Sequence, residues 1–361
     1  GLGCWSMNSL LHKSFVGISI AILIMALSAL SHAQQLSEPA GSGSAQSPQV
    51  QVTQEQQGID LLSLEQLLRQ IQIASARVNY QGIFVSHWAN QNLITSKITN
   101  LYSNEHLSRR VESLDDSPIE VLRNDEQQIQ LFPEQSVVVT VPIREHDFPG
   151  LLLTEVEGIS TYYVAEELDL PSRVAGIDCK KIIVSPRDNS RYGFRLCVEP
   201  VKHLLLQIET VNAKQQIISQ TTFTQLLFDD QIDPSSIHTE HDYVTWSHFK
   251  PRSDEVDLAT EGWRFILPGG FQKVTSFKLA TGTKKEVRQL TVSDGLSSFS
   301  IFIQELSQED KDKYGLSDQV EGPVNIYSKR IGNYWFTALG AMPLHTLESV
   351  AESAEHSSIE D

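Results

Sequence analysis

Cys179-Lys-Lys-Ile-Ile-Val-Ser-Pro-Arg-Asp-Asn-Ser-Arg-Tyr-Gly-Phe-Arg-Leu-Cys197 is the stretch whose reading decides the fold. Pro186 to Ser190 has turn chemistry, and on both sides apolar and polar residues alternate with the period of a strand. With the turn there, the two cysteines face each other across one antiparallel hairpin. Directly opposed Cβ atoms lie about 4.5–5.5 Å apart, so a cross-strand disulfide is expected. Ile182, Val184, Tyr192, Phe194, Leu196 and Val198 then share an apolar face. Cys179 and Cys197 share the other with Lys181, Arg191 and Arg195. This register sets Lys181 opposite Arg195, a mildly unfavourable like-charge pair that the six apolar positions outweigh.

A disulfide requires an oxidising compartment. Independently, the chain from Met7 reads as an export signal: Lys13, an apolar run from Phe15 to Leu30, and Ser31-His-Ala33 with small residues at a cleavage site. The run is shorter than the ~20 residues that span a bilayer, which favours a cleaved signal over an anchor. No cysteine follows the run to carry a lipid anchor, so a soluble exported product is expected. Residues 1–6 precede Met7 and read as extra to that signal, and cleavage near Ala33 removes Cys4 and leaves Cys179 and Cys197 as a pair. They form no Cys-x-x-Cys motif, which favours a structural bridge over a redox site.

The formal net charge of −17 argues against nucleic acid and against unassisted binding to anionic membranes. An anionic ligand would have to meet a local basic patch. Arg187, Arg191 and Arg195 beside the hairpin, with Arg109 and Arg110, are the candidate contacts for a partner or an anion, with intramolecular ion pairing as the alternative.

Residues 34–57 are rich in Gln, Ser, Gly and Pro and read as a flexible leader. Ser63-Leu-Glu-Gln66 has the form of a capping box opening an amphipathic helix to about Ala76, with Leu64, Leu67, Leu68 and Ile71 on its apolar side. Short branched or aromatic segments follow at Tyr80–Trp88, Leu93–Tyr102, Leu107–Leu114, Ile119–Asn124, Gln128–Phe132 and Ser136–Val141, the pattern of an antiparallel meander. Helical character is expected again over Phe148–Ser160, then strands at Tyr162–Leu168, in the cysteine hairpin, at Leu204–Val211 and at Gln216–Phe228. Leu204, Leu206 and Ile208 extend the apolar face of the hairpin, a surface for core packing or for a lipid.

The composition turns polar from Asp229 to Ala259, and residues 234–259 are read as a linker between a domain at 58–233 and a smaller one at 260–356, with a tail at 357–361. In the second domain strands are expected at Trp263–Leu267, Glu286–Val292, Leu296–Glu305, Val324–Ile331 and Trp335–Leu339. Asp294-Gly295 and Gly332-Asn333 serve as two-residue turns, and a helix follows Pro343.

Catalytic signatures are missing: there is no Gly-x-Ser-x-Gly elbow, phosphate loop or dinucleotide fingerprint. Ser293-Asp-Gly295 reads as a turn. His238, His241, Asp242 and His248 lack the spacing of a metal helix and read as solvated linker. No enzyme activity, metal or cofactor is expected.

In the first domain Tyr80-Gln-Gly-Ile-Phe-Val85, Pro118-Ile-Glu-Val-Leu-Arg123, Arg173-Val-Ala-Gly176, Pro186-Arg-Asp188, Arg191-Tyr-Gly-Phe-Arg-Leu196 and Leu204-Leu-Leu206 stand in a recognisable order. In the second come Trp263, Leu267-Pro-Gly-Gly-Phe271, Ser293-Asp-Gly295, Ser300-Ile-Phe302 and Gly322-Pro-Val-Asn-Ile-Tyr327. On these residues the chain resembles the RseB/MucB family, periplasmic negative regulators of an envelope-stress sigma factor. The resemblance implies an α+β protein: an unclosed antiparallel β-barrel covered by helices, similar to the LolA/LolB lipoprotein carriers, joined to a smaller C-terminal α/β domain. It implies binding to the periplasmic domain of a transmembrane anti-sigma factor of the RseA/MucA type, protection of that factor from proteolysis, and release by lipid or lipopolysaccharide. A periplasmic carrier of lipid or lipoprotein is the alternative function, against which the additional C-terminal domain speaks. Self-association to a homo-oligomer stays open.

Overall fold

The computed structural model of the chain describes residues 61–89, 93–115, 117–251, 253–280, 286–308 and 315–357. The expected signal and leader, and the side chain of Ser63 in the expected capping box, lie outside the described residues.

Helix α1 (Leu61–Arg77) is followed by β1 (Tyr80–Trp88), β2 (Ile94–Ser103), β3 (His106–Ser113), β4 (Glu120–Arg123), β5 (Gln128–Phe132) and β6 (Val137–Val141). Then come β7 (Tyr163–Val174), β8 (Ile177–Pro186), β9 (Gly193–Val198), β10 (Leu205–Val211), β11 (Ile217–Phe228) and the short β12 (Ser247–Phe249). These form one 12-stranded sheet in the order β12-β6-β5-β4-β3-β2-β1-β11-β10-β9-β8-β7. It is two meanders joined where β1 pairs antiparallel with β11. Its end strands, β12 and β7, do not pair among the described residues, so the sheet stays unclosed. The antiparallel, unclosed architecture agrees with expectation; β12 is the exception in direction, parallel to β6.

Beyond it lie β13 (Ser253–Glu255), β14 (Trp263–Arg264), β15 (Gln272–Ala280), β16 (Glu286–Ser293), β17 (Ser298–Glu305), β18 (Ser317–Val320), β19 (Asn325–Ile331), β20 (Tyr334–Gly340), α2 (Leu344–Glu352) and β21 (Glu355–His356). A second, 7-stranded sheet has the order β13-β15-β16-β17-β20-β19-β18, and β14 pairs with β21. Its core gathers Trp263, Val292, Phe299, Ile301, Phe336, Met342, Leu347 and Val350 between sheet and α2. Gly332-Asn333 forms the expected two-residue turn between β19 and β20.

Several expectations need correction. In the cysteine hairpin Lys181 faces Cys197 and Ile182 faces Leu196, a register two residues from the one expected. The turn is centred on Asn189 instead of Asp188, because the Asp188 carboxylate takes the Ser190 amide (3.0 Å) and the Arg191 guanidinium. A two-residue slip preserves the alternation of faces. It moves Arg195 from Lys181 to Ile183 and removes the like-charge pair. Cys179 and Cys197 are bonded as diagonal neighbours, with Cα atoms 5.4 Å apart. Their surroundings are largely apolar: they belong to a buried cluster with Tyr80, Ile98, Val174, Leu204, Leu206 and Phe223, although Cys197 also borders Lys181 and Arg195.

Phe148–Ser160 forms no α-helix, only a 3-10 turn at Ile159–Thr161. Several of its amides are satisfied by side chains of α1, since Gln72 accepts from Leu151 and Leu152 (2.9 Å each) and Glu65 from Gly158 (2.9 Å). Helix α1, together with Gly295 O for the Leu153 amide, therefore supplies acceptors that an internal helical ladder would have provided. Asp294 and Gly295 are not a two-residue turn either: Ser293 pairs with Ser298, leaving a loop of Asp294, Gly295, Leu296 and Ser297.

Candidate functional site at the junction of the two sheets

The first sheet holds α1 against one face. Leu64, Leu68 and Ile71 recur at helical spacing and bury one stripe of the helix against Ile182, Val184, Phe194, Leu196, Val198 and Leu205, with Ile208 packed beside them. The other expected members of that face separate. A bulge between Leu205 and Gln207 breaks the alternation of β10, and Leu204 and Leu206 join the cysteine cluster. Tyr192 precedes β9 and its hydroxyl accepts from Asn325 Nδ2 of the second sheet at 3.2 Å. Of the face expected for core packing or for a lipid, Ile182, Val184, Phe194, Leu196 and Val198 are packed as core with the leucines of α1.

Of the arginines nominated for an outside partner, three are buried and engaged within the chain. Arg109 reaches the end of α1, donating to Ser75 O (2.5 Å) and to Asn100 Oδ1 (2.8 Å). Asn100 in turn donates to Ala76 O (3.0 Å) and Val78 O (2.9 Å), so this pair satisfies carbonyls that a helix end leaves open. Arg110 grips Glu120 with two bonds, 3.0 and 3.2 Å, Glu112 at 2.9 Å, and the carbonyl of Ser236 at 3.1 Å. Arg187 is exposed and donates to Ser160 O (3.0 Å). Arg195 lies 3.4 Å from Glu209 and, with Arg173, Lys181 and Cys197, lines a cleft of about 250 Å³.

Arg191 is the centre of the site. Two bonds, 3.1 and 2.9 Å, bind it to Asp188; Nη1 donates to Asp294 Oδ2 (2.6 Å) and Nη2 to Gly269 O (2.6 Å). Asp188 and Arg191 come from the cysteine hairpin, Asp294 and Gly269 from loops of the second sheet. The guanidinium lies over Tyr162, Phe271 and Tyr163, at 4.8, 5.0 and 5.6 Å from the ring centroids. Tyr163, wholly buried, donates to Asp294 Oδ2 (2.9 Å) and sits 2.9 Å from Ser297 Oγ. Burial, then the Asp294 charge, pushes its phenol well above the ordinary range. For Arg191 burial acts to lower the pKa, but the Asp188 hydrogen bonds and the Asp294 charge outweigh it and raise it. With the side chains of Arg191 and Asp294 both fully buried, the pair is stable only because nearly every polar atom has a partner.

Close approach of backbone completes the junction. A Cβ on Gly270 would lie 2.5 Å from the Tyr162 ring, and the residue has φ +83°, so only glycine fits. Gly295 O accepts from Leu153 N–H (3.1 Å), Thr346 Oγ1 donates to Ser190 O (3.0 Å), and Leu296 is buried in the cluster beneath α1. Sequence reading singled out Arg191 and Ser293-Asp-Gly295 separately without joining them. The signal available was a charged residue, Asp294, in a turn adjacent to the apolar Leu296.

The histidine cluster is dispersed: His241 lies 3.4 Å from Glu120 and against Trp246, and His248 near Tyr243 O. Among the described residues no group of three metal-ligating side chains is assembled. Among them, too, no helix is long and apolar enough to cross a membrane.

Comparison with known proteins follows the same two parts. Residues 63–241 match the family model of the MucB/RseB N-terminal domain, and residues 257–355 that of the MucB/RseB C-terminal domain. The chain is 32% identical over 187 residues to the sigma factor AlgU regulatory protein MucB of Pseudomonas aeruginosa, an alignment spanning 50% of this chain and 57% of that protein. It is 21% identical over 303 residues to the sigma-E factor regulatory protein RseB of Haemophilus influenzae, spanning 81% of this chain and 91% of that protein. The solved Pseudomonas aeruginosa MucA/MucB complex is similar in fold, with a TM-score of 0.65 at 24% identity, covering 82% of this chain and 99% of that one. Both sheets and their order in the chain are accounted for, and the protein belongs to the MucB/RseB family.

Proposed function

We propose that this protein is a periplasmic binding regulator that holds the periplasmic segment of a transmembrane anti-sigma factor, shields it from the protease that starts its degradation, and so restrains an envelope-stress sigma factor. Release is by lipid or lipopolysaccharide. The observation carrying the reading is that both sheets match the family, whose relatives are named as regulators of AlgU and sigma-E, one of them solved with MucA. Export in an oxidising compartment fits the Cys179–Cys197 bridge. The face beneath α1 is filled by the chain's own leucines, which weighs against a constitutive cargo carrier. Lipid therefore acts by favouring one conformation over another, and only to the extent of its differential affinity. The test is proteolysis of the purified anti-sigma periplasmic segment with and without this protein. Slower cleavage in its presence, reversed by added lipopolysaccharide, is the expected result; equal cleavage sinks the reading.

A further inference from the structure

Each sheet has its own core. Among the described residues, the cluster behind the second sheet draws only on those from Val256 onward. The cluster beneath α1 draws on the first sheet and its loops, with one exception: Leu296, from the loop between β16 and β17. That loop is internally braced, since Asp294 Oδ1 accepts from the amides of Leu296 (3.0 Å) and Ser297 (2.8 Å) and Ser293 Oγ donates to Ser297 O (2.8 Å). It is therefore a preformed unit that presents the Leu296 side chain, the Asp294 carboxylate, the Gly295 carbonyl and the Ser297 hydroxyl to the first sheet.

Besides Leu296, the Gly270 backbone packs on the Tyr162 ring and Arg191 lies over Phe271; the remaining contacts across the junction are polar. Arg191–Asp294, Arg191–Gly269 O, Tyr163–Asp294, Leu153–Gly295 O, Asn325–Tyr192 and Thr346–Ser190 O all link loops or strand ends, not strands within either ladder. Buried ion pairs of this kind contribute little net stability against their own desolvation, although losing one partner is costly. An assembly of two self-sufficient cores joined by such contacts is weakest at the joint.

We propose that the Ser293–Ser297 turn is a detachable latch: the two sheets part there as intact bodies when Leu296 leaves its seat beneath α1 and the Arg191–Asp294 pair breaks. Opening exposes that seat, framed by the cluster containing Leu64, Leu68, Val156 and Ile159, together with the Leu296 side chain itself. Closing requires the paired charges and the aliphatic plug together. Any ligand that touches both sheets is coupled to this equilibrium through its preference for one form. The latch is independent of what the partner is, because it rests on contacts within the chain.

Hydrogen exchange on the full chain tests it, with the Leu153 amide as reporter because its acceptor, Gly295 O, lies on the latch. Amides of Ile301 in β17 and Leu196 in β9 report the sheets themselves. The Leu153 amide is expected to exchange faster than both. Asp294→Asn keeps an acceptor for the turn amides but removes the charge facing Arg191, and Leu296→Ala removes the plug alone. Each should speed exchange at Leu153 by about tenfold or more while leaving Ile301 and Leu196 unchanged. If Leu153 exchanges as slowly as the sheet amides in the unmodified protein, or if both variants speed all three amides alike, the junction opens only by global unfolding and the latch is wrong.

Discussion

Arg110 and Arg191 are built alike and serve different ends. Each makes two bonds to one carboxylate, a third to another carboxylate and a fourth to a backbone carbonyl. For Arg110 the carboxylates, Glu112 and Glu120, stand on its own strand and the next, and the carbonyl of Ser236 ties the segment after β11 onto the sheet. For Arg191 one carboxylate is local, Asp188, but Asp294 lies 103 residues away in the second sheet. The same fully satisfied guanidinium thus acts as a rivet inside one body or as a clasp between two. What differs is where the second carboxylate comes from, and how dry it is: the Asp294 side chain is 0% exposed, that of Glu112 21%.

The largest expected effect is at the clasp. Arg191→Ala leaves Asp294 buried against Tyr163 without its cation and should cost about 3–5 kcal/mol in urea unfolding. A loss below about 1 kcal/mol would mean that water already reaches Asp294, and the contrast in dryness would fall. Arg110→Ala should cost less, about 2–3 kcal/mol by the same measurement, since Glu112 is partly solvated and Glu120 keeps His241 at 3.4 Å. A loss exceeding that of Arg191→Ala would invert the comparison. Tyr192→Phe removes one neutral hydrogen bond across the same junction, from Asn325. It should cost only about 0.5–1.5 kcal/mol, because Asn325 also donates to Met342 O at 2.7 Å. A larger loss would show that the clasp depends on the whole polar set and not on its ion pair.

Legibility followed the range of the interaction. The strands of the first meander, the Gly332-Asn333 turn and the helix after Pro343 could be read because alternation and turn chemistry act over a few residues. The Cys179–Cys197 bridge was legible, its register was not: whether the turn centres on Asp188 or Asn189 depends on which donors the Asp188 carboxylate finds. Phe148–Ser160 looked helical from its leucines, but Gln72 and Glu65 of α1 claim several of its amides. Strand β15 was not anticipated, and its pairing with β16 is settled by the second sheet as a whole.

The order of local elements, the β-rich class, the paired cysteines and the family motifs were determined by the sequence by itself, because each rests on neighbours in the chain. The tertiary structure alone decided which charges are free and which are spent. The sequence leaves Arg109, Arg110 and Arg191 open between contacts to a partner and pairing within the chain, until folding brings a helix end, a neighbouring strand and a distant aspartate to them. A buried guanidinium must satisfy its donors, and the acceptors nearest in space are not those nearest in sequence.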